Sequence, residues 1–320
     1  MSLLTAPDGS PRHVRSSPQT PVAVIVIRPH HFVANPETAE DNSFQDKMAG
    51  AGQEDKVEAY HEVSNVIKVL RSHGVKVHVF EDESCQTPDS VFPNNWFSTH
   101  AGGHVAIYPM YAENRRKERR TDIIELLKKN YRVQDIVDYS GFEQDGLFLE
   151  GTGAMVLDHI ERVTYVCKSR RSDPILLERF CSQFNYEPII FEAVDSKGHA
   201  VYHTNVLMCI ASELVLVGAE LVRDNGDRAT LMRRLKDTGR KILELSEEQV
   251  ASFAGNMLEV QGANGPLLVM SETAYRALSG EQITQIEQCL PIVTVAIPII
   301  EKAGGSVRCM LAGVHLSKRS

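Results

Sequence analysis

The sequence predicts an α/β protein built from five repeated units closed into a propeller-like array. Counting 53 residues back from Cys309 reaches Asn256, the same step reaches His203, and a third reaches Glu150. Each landmark heads a similar phrase: Leu149-Glu150-Gly151, Tyr202-His203-Thr204-Asn205, Gly255-Asn256-Met257 and Arg308-Cys309-Met310. A step of 55 residues from Glu150 adds Asn95, in Phe92-Pro93-Asn94-Asn95-Trp96. Around these phrases a two-strand, helix, strand pattern recurs. Self-similarity at a fixed period marks repeat architectures, and polar residues at one place in every unit are expected to converge.

The first unit runs strand, long loop, helix, strand. Val22 to Ile27 is a buried-strand pattern, and the loop from Pro29 to Gln53 is long enough to be functional. It carries His30, His31, Asn35 and Asn42, which either line a site or sit on a surface loop. Asp55 to Ser72 is the clearest helix: Ala59, Val63, Val66, Ile67 and Leu70 share one face and Gly74 stops it. Val75 to Phe80 follows as a strand.

The second unit starts at Asp89, continues with a strand from His104 to Tyr108 and a helix from about Arg115 to Lys129, and closes at Val133 to Val137. The third has strands at Gly153 to Leu157 and Arg162 to Cys167, a helix from Asp173 to Phe184, and Pro188 to Phe191. The fourth runs from Tyr202 through Val206 to Ile210, then Leu214 to Val217, a helix from Asp227 to Thr238, and Lys241 to Leu245. The fifth has Met257 to Val260, Pro266 to Met270, a helix from Ser271, Ile292 to Ile297, and a last strand from Cys309 to Leu316. The last begins at a glycine turn, Gly304-Gly305, with the cysteine where turn becomes strand. Residues 1–20, rich in Pro, Ser and Thr, read as a flexible lead-in, and 21–320 as a single catalytic domain.

Composition narrows the function. With 34 basic against 42 acidic residues the net charge is −8, which argues against nucleic acid as the main partner. No apolar run approaches the length of a membrane span, and no signal core is visible at the N-terminus. The six cysteines lack disulfide or zinc spacing, as expected for reduced thiols in a cytoplasmic enzyme, and no metal or other cofactor is implied. Five of them read as small buried hydrophobes. Cys309 is set apart because Glu150 and His203 occupy the matching place in other units. A Glu, a His and a Cys brought together have the composition of a thiol-based catalytic site. Cys309 would be the nucleophile, His203 the acid and base, and Glu150 the residue that orients His203 or accepts from substrate N–H groups.

In Phe-Pro-Asn-Asn-Trp, Glu-Gly-Thr-Gly, Tyr-His-Thr-Asn and Arg-Cys-Met, in that order from Phe92 to Met310, the chain resembles the guanidino-group modifying, or pentein, superfamily. That superfamily holds arginine deiminases, dimethylarginine hydrolases and amidinotransferases. The nearest resemblance is to the amidinotransferase-related proteins assigned to citrulline utilisation. It implies a five-bladed α/β propeller of pseudo-symmetric ββαβ modules and covers Asp89 to Leu316. It further implies that Asp89 accepts from a substrate α-amino group, and that Arg170 and one of Arg115 or Arg116 hold the α-carboxylate. Arginine suits that task because its planar fork can bond both oxygens.

Two departures from the superfamily pattern set the substrate expectation. Members that act on guanidinium groups clamp the cation with two aspartates, where this chain has Asn95 and Asn205. Carboxamides can donate to a ureido oxygen and accept from its NH2, whereas two carboxylates facing a neutral urea would be unpaired buried charges. The expected reaction is therefore hydrolysis of citrulline to ornithine, ammonia and carbon dioxide through an S-carbamoyl cysteine. The alternative is a guanidino substrate: arginine deimination, methylarginine hydrolysis or amidine transfer. A third reading is a propeller without catalysis, like the ribosome anti-association factors. The expected partner is a small-molecule amino acid, not nucleic acid or membrane, with self-association into a homodimer left open.

Overall fold

In the computed structural model, which describes residues 18–46 and 52–319, the strands form five separate three-stranded sheets of one design. In each, a central strand pairs antiparallel with one neighbour and parallel with the other, and a helix lies in the crossover to the parallel partner.

The first sheet joins the two ends of the chain. Strand β1 (Ala23–Pro29) pairs parallel with β2 (Val77–Asp82) across the helix Gln53–Ser72. Its other edge takes the last of the described strands, Ala312–Val314, antiparallel, with Val24 opposite Gly313. This corrects the expected grouping, which gave the last strand to the fifth unit. A three-residue strand cannot be assigned to a sheet by local pattern, because the pairing that fixes it is almost 290 residues away.

The remaining sheets follow in chain order. The second contains β3 (Phe97–His100), β4 (His104–Ile107) and β5 (Asp135–Asp138). The third contains β6 (Val156–Asp158), β7 (Val163–Cys167) and β8 (Glu187–Phe191). The fourth contains β9 (Met208–Ile210), β10 (Leu214–Val217) and β11 (Lys241–Glu244). The fifth contains β12 (Leu258–Gly262), β13 (Gly265–Ser271) and β14 (Ile292–Val295). Helices start where side-chain caps permit: Asp173 accepts from Ile175 N–H before Pro174–Phe184, and Asp224 from Asp227 N–H before Asn225–Asp237. The helix expected from Arg115 to Lys129 is in fact a 3₁₀ turn, Asn114–Glu118, and an α-helix, Thr121–Asn130. They are separated by extended backbone at Arg119 and Arg120.

The phrases that head the units are where strand expectations needed most revision. Pro93–Asn95, Gly151–Ala154, Thr204–Leu207 and Val307–Met310 are each a single helical turn that feeds the first strand of a sheet. Cys309 therefore sits in a helical turn, not at a strand start. These turns are as buried as the strands that follow, so a continuous apolar run does not separate the two. Glu150 and His203 stand just before their turns, at the N-cap position.

The end of the expected lead-in is packed. Gln19 donates to the carbonyls of Leu157 (2.9 Å) and Ile210 (3.1 Å) and accepts from His159 N–H, while Thr20 bonds to Glu259. Gln19 and Thr20 thus tie the third, fourth and fifth sheets together, and residues 1–17 of that lead-in lie outside the described residues. Among the described residues no helix is long and apolar enough to cross a membrane.

Candidate active site

Glycines let the helical turns approach one another. Gly151 has φ +45°, and a Cβ there would lie 2.6 Å from the Asn94 carbonyl oxygen. A Cβ on Gly153 would lie 2.2 Å from Asn95 Nδ2 and 2.8 Å from the His203 ring. Glu-Gly-Thr-Gly is thus the segment that brings Asn95, Glu150 and His203 to one place.

Glu150 and His203 form the centre of the site. His203 Nε2 lies 2.9 Å from Glu150 Oε2, and both side chains are buried. Glu150 Oε1 accepts from Tyr111 N–H at 3.0 Å, and Arg115 and Arg171 approach Oε2 at 3.6 and 3.7 Å. Burial alone would push the Glu150 carboxyl up, but Arg171, the bond with His203 and Arg115 outweigh it and hold it at about 2. Burial lowers His203 to about 4, against the pull of Glu150. The pair is therefore a carboxylate bonded to a neutral imidazole. The His203 ring also packs against the Tyr202 ring, with centroids 4.7 Å apart, and the Tyr202 hydroxyl bonds to the Gly304 carbonyl.

Cys309 faces the same cavity. Its sulfur accepts from Asn205 Nδ2 and Asn256 Nδ2, each at 3.3 Å. Asn205 Oδ1 is buried and has no partner among the described residues. Asn95 Oδ1 accepts from Arg115 Nη1 at 2.8 Å and its Nδ2 donates to Asn94 Oδ1 at 3.0 Å.

The charged half of the cavity is organised by Arg115 and Arg171. Arg115 is gripped by Glu118 through Nε (3.1 Å) and Nη2 (3.0 Å), with Asp89 at 3.6 Å. Burial, together with Asp89 and Glu150, pushes Glu118 up to about 8 despite those bonds. Burial likewise raises Asp89, which Arg115 and the Asn35 side chain, donating at 2.8 Å, partly offset. Arg171 stacks over the Tyr202 ring (4.8 Å) and pairs with Asp41 of the first loop (2.6 Å).

Of the residues expected at the site, Cys309, His203, Asp89, Asn95 and Arg115 line one cavity, with Glu150 and Asn205 directly behind them. Two arginines do not. Arg116 lies outside, bonding to the Met110 and Tyr111 carbonyls. Arg170 is exposed, beside the Tyr111 hydroxyl and Glu40, and the neighbouring Arg171 lines the cavity in its place. The turn closed by Ser169 N–H on Ser172 Oγ (2.9 Å) sends residue 170 outward and residue 171 inward. His30 and His31 lie away from the cavity, His30 on Glu81 and His31 exposed, whereas Asn42 of the same loop lines it and Asn35 donates to Asp89 in its wall. Arg171, Glu118 and Asp41 escaped the sequence reading. Glu118 had one signal, its spacing of three from Arg115 in a helical stretch. The free space among these residues, about 10 Å³ for the centre of a water molecule, admits a single water, and Thr38 and Asn42 of the first loop form part of its wall.

The family model described as N,N dimethylarginine dimethylhydrolase, eukaryotic, matches residues 28–316. A comparison with curated proteins returned no match. Among solved structures, apo ArgZ, an arginine dihydrolase from the ornithine-ammonia cycle in cyanobacteria, is similar with a TM-score of 0.70 and 17% identity. That similarity covers 91% of this chain and 40% of ArgZ, so the chain spans well under half of that protein. The N-terminal domain of ArgZ bound to product matches over 92% of this chain and 97% of the domain, at TM-score 0.69 and 17% identity. DDAH from Pseudomonas aeruginosa, a Cys-to-Ser mutant complexed with citrulline, matches over 92% of this chain and 99% of its own, at TM-score 0.62 and 16% identity. At these identities the likeness to solved structures is one of fold.

Proposed function

The chain belongs to the family described as N,N dimethylarginine dimethylhydrolase, eukaryotic, within the guanidino-group modifying superfamily, and from that premise we propose a cysteine-dependent hydrolase of ureido amino acids with citrulline as substrate. The general activity is that of a hydrolase acting on C–N bonds of the guanidino class. The ureido specificity rests on one observation. The side chains beside the nucleophile at the two charge-reading positions are the neutral carboxamides Asn95 and Asn205, and Asn205 Oδ1 is free to accept from a substrate NH2.

In this reading Cys309 attacks as thiolate, forming an S–C bond to the ureido carbon. His203, neutral at rest, receives the thiol proton and delivers it to the departing δ-nitrogen, so the C–N bond breaks and ornithine leaves. The Cys309 S-carbamoyl group is then cleaved by water that His203 deprotonates, and the carbamate released decomposes to ammonia and carbon dioxide. Glu150 is engaged on both oxygens, which suits holding the His203 ring rather than binding substrate. Asp89 would accept from the α-ammonium group, and Arg115 with Arg171, in place of Arg170, would bond the α-carboxylate. We propose also that the five sheets close around one axis as a propeller, supported by the pairing of the last strand with β1 and by the contacts among the landmark residues.

A guanidino substrate is the second reading, favoured by the family match and by charge. Among the described residues four carboxyls, of Asp41, Asp89, Glu118 and Glu150, face the two guanidinium groups of Arg115 and Arg171, and burial raises Asp89 and Glu118, so a bound cation would favour their ionised forms. Purified protein given citrulline, arginine or dimethylarginine separates the two. Ornithine and ammonia from citrulline alone supports the ureidohydrolase; citrulline formed from arginine or dimethylarginine overturns it in favour of the second reading.

A further inference from the structure

We infer that Asn256 is a further catalytic residue, which with Asn205 forms a two-amide cradle that orients the Cys309 sulfur. The inference rests on the reading of Cys309 as the nucleophile.

Asn256 is fully buried, and each of its amide atoms has a defined task. Oδ1 accepts from the backbone N–H of Arg308 at 2.9 Å. Nδ2 donates to the Asn205 carbonyl at 2.8 Å and reaches Cys309 Sγ at 3.3 Å. This network fixes the orientation of the amide. Flipping it would set an oxygen against the Asn205 carbonyl and the sulfur, and an NH2 against the Arg308 N–H. One side chain thus locks three neighbours: the residue before the nucleophile, the sulfur, and the backbone of the second donor.

The donors meet the sulfur from different units. Asn205 comes from the fourth unit, in the turn Thr204–Leu207, and Asn256 from the fifth, just before β12. An acceptor that takes two N–H donors is placed to carry negative charge, as in oxyanion holes. Serine would be too short to reach both Arg308 and the sulfur, and aspartate would set a negative charge against a thiolate. Asparagine satisfies both demands.

The charged and titratable groups around the sulfur are Arg308 on its own turn, whose Nη1 bonds to the Leu311 carbonyl, and the cavity residues His203, Tyr202, Asp89, Arg115 and Arg171, with Glu150 behind them. Cys209 on β9 lies below, near Arg308. None of these contacts is made through Asn256, so substitution acts on the sulfur, on its turn through the Arg308 N–H, and on the Asn205 carbonyl that loses a donor.

The test is the pH dependence of Cys309 alkylation by iodoacetamide, read by peptide mass spectrometry, with turnover measured in parallel. Asn256→Ala is expected to raise the midpoint of Cys309 alkylation by about one pH unit and to lower kcat about 10- to 100-fold, with KM little changed. Asn256→Asp keeps the shape and the bond to Arg308 N–H and should raise the midpoint further, so it decides the matter where the alanine variant does not fold. An unchanged midpoint and kcat in a folded variant would overturn the inference while leaving the nucleophile reading intact. Turnover retained by Cys309→Ala would instead remove the nucleophile reading itself.

Discussion

His203 Nε2 and Glu150 Oε2 are 2.9 Å apart although the residues stand 53 positions apart, each at the N-cap of a one-turn helix opening successive units. The carboxylate is held at about 2 and the imidazole at about 4, so at neutral pH the resting pair contains a neutral base with a fixed orientation. Glu150→Gln removes that charge while keeping the shape. It is expected to lower kcat by about two to four orders of magnitude with a much smaller effect on KM. Steady-state kinetics at pH 7.5 check this, and a fall of less than about fivefold would contradict the orienting role.

The same pair makes the protein acid-sensitive. A histidine with a depressed folded value is neutral when folded and charged when unfolded between about 4 and 6.5, so stability falls as pH drops through that window. Glu150 adds to the loss as pH falls below 4.5 toward 2, where the unfolded chain takes up a proton before the folded one. His203→Gln is expected to flatten the upper part of this loss. Tm measured from pH 7 to pH 4 in both proteins tests it.

The arginines divide by which way a tight turn sends them. Arg171, buried over Tyr202 and bonded to Asp41, lines the cavity, whereas Arg170 is exposed. Arg171→Lys keeps the charge but loses the planar fork, and should raise KM at least about tenfold. Arg170→Ala should leave KM within about twofold. The reverse pattern would return the carboxylate role to Arg170.

How far the site could be read from residues alone follows from what each residue does. Glu150, His203 and Cys309 were legible because a regular spacing carries three complementary chemistries to one place, although Glu150 and His203 cap their turns and Cys309 lies inside its own. Asn95 and Asn205 were legible as departures from an aspartate pattern. Arg170 and Arg171 are chemically identical neighbours, and only the Ser169–Ser172 turn separates them, so composition had no means to choose. Glu62 gave no sign of burial because its partners, the N–H groups of Ile299 and Ile300, are apparent only once the units pack, and Glu118 gave only its spacing of three from Arg115. The misplaced last strand did leave a trace. The first unit lacked one strand and the fifth had one too many, which is what a chain closing on itself produces.

Gly153 gives a steric test of the assembly. A Cβ there would overlap Asn95 Nδ2 and the His203 ring at 2.2 and 2.8 Å, and neither is the free end of a flexible chain. Gly153→Ala is expected to cost about 100-fold in kcat through displacement of His203 by a fraction of an ångström. Gly141→Ala, where a Cβ meets nothing within 4 Å, is the control and should be neutral. Equal activities would mean that the cavity is looser than its contacts imply.

Glu62 supplies a pH dependence of opposite sign to that of the His203–Glu150 pair. It lies in the helix Gln53–Ser72, is buried, and accepts from Ile299 N–H (2.8 Å) and Ile300 N–H (2.9 Å). Burial raises it to about 7, against those two bonds, with Glu58 and Glu301 adding repulsion. Between about 4.5 and 7 the unfolded chain has lost this proton and the folded protein keeps it, so stability falls as pH rises through that window. Glu301, also raised by burial and bonded to Thr273 and Ser306, contributes a slope of the same sign. Glu62→Gln keeps one acceptor oxygen and removes the titration. Denaturant unfolding at pH 5, 6, 7 and 8 should therefore show a shallower decline in the variant, with part of the slope surviving through Glu301. The variant should gain relative to wild type as pH rises. A difference between the two proteins that stays constant from pH 5 to pH 8 would mean that Glu62 is already ionised in the fold at pH 5, its charge carried by the two N–H groups of the Pro298–Glu301 turn.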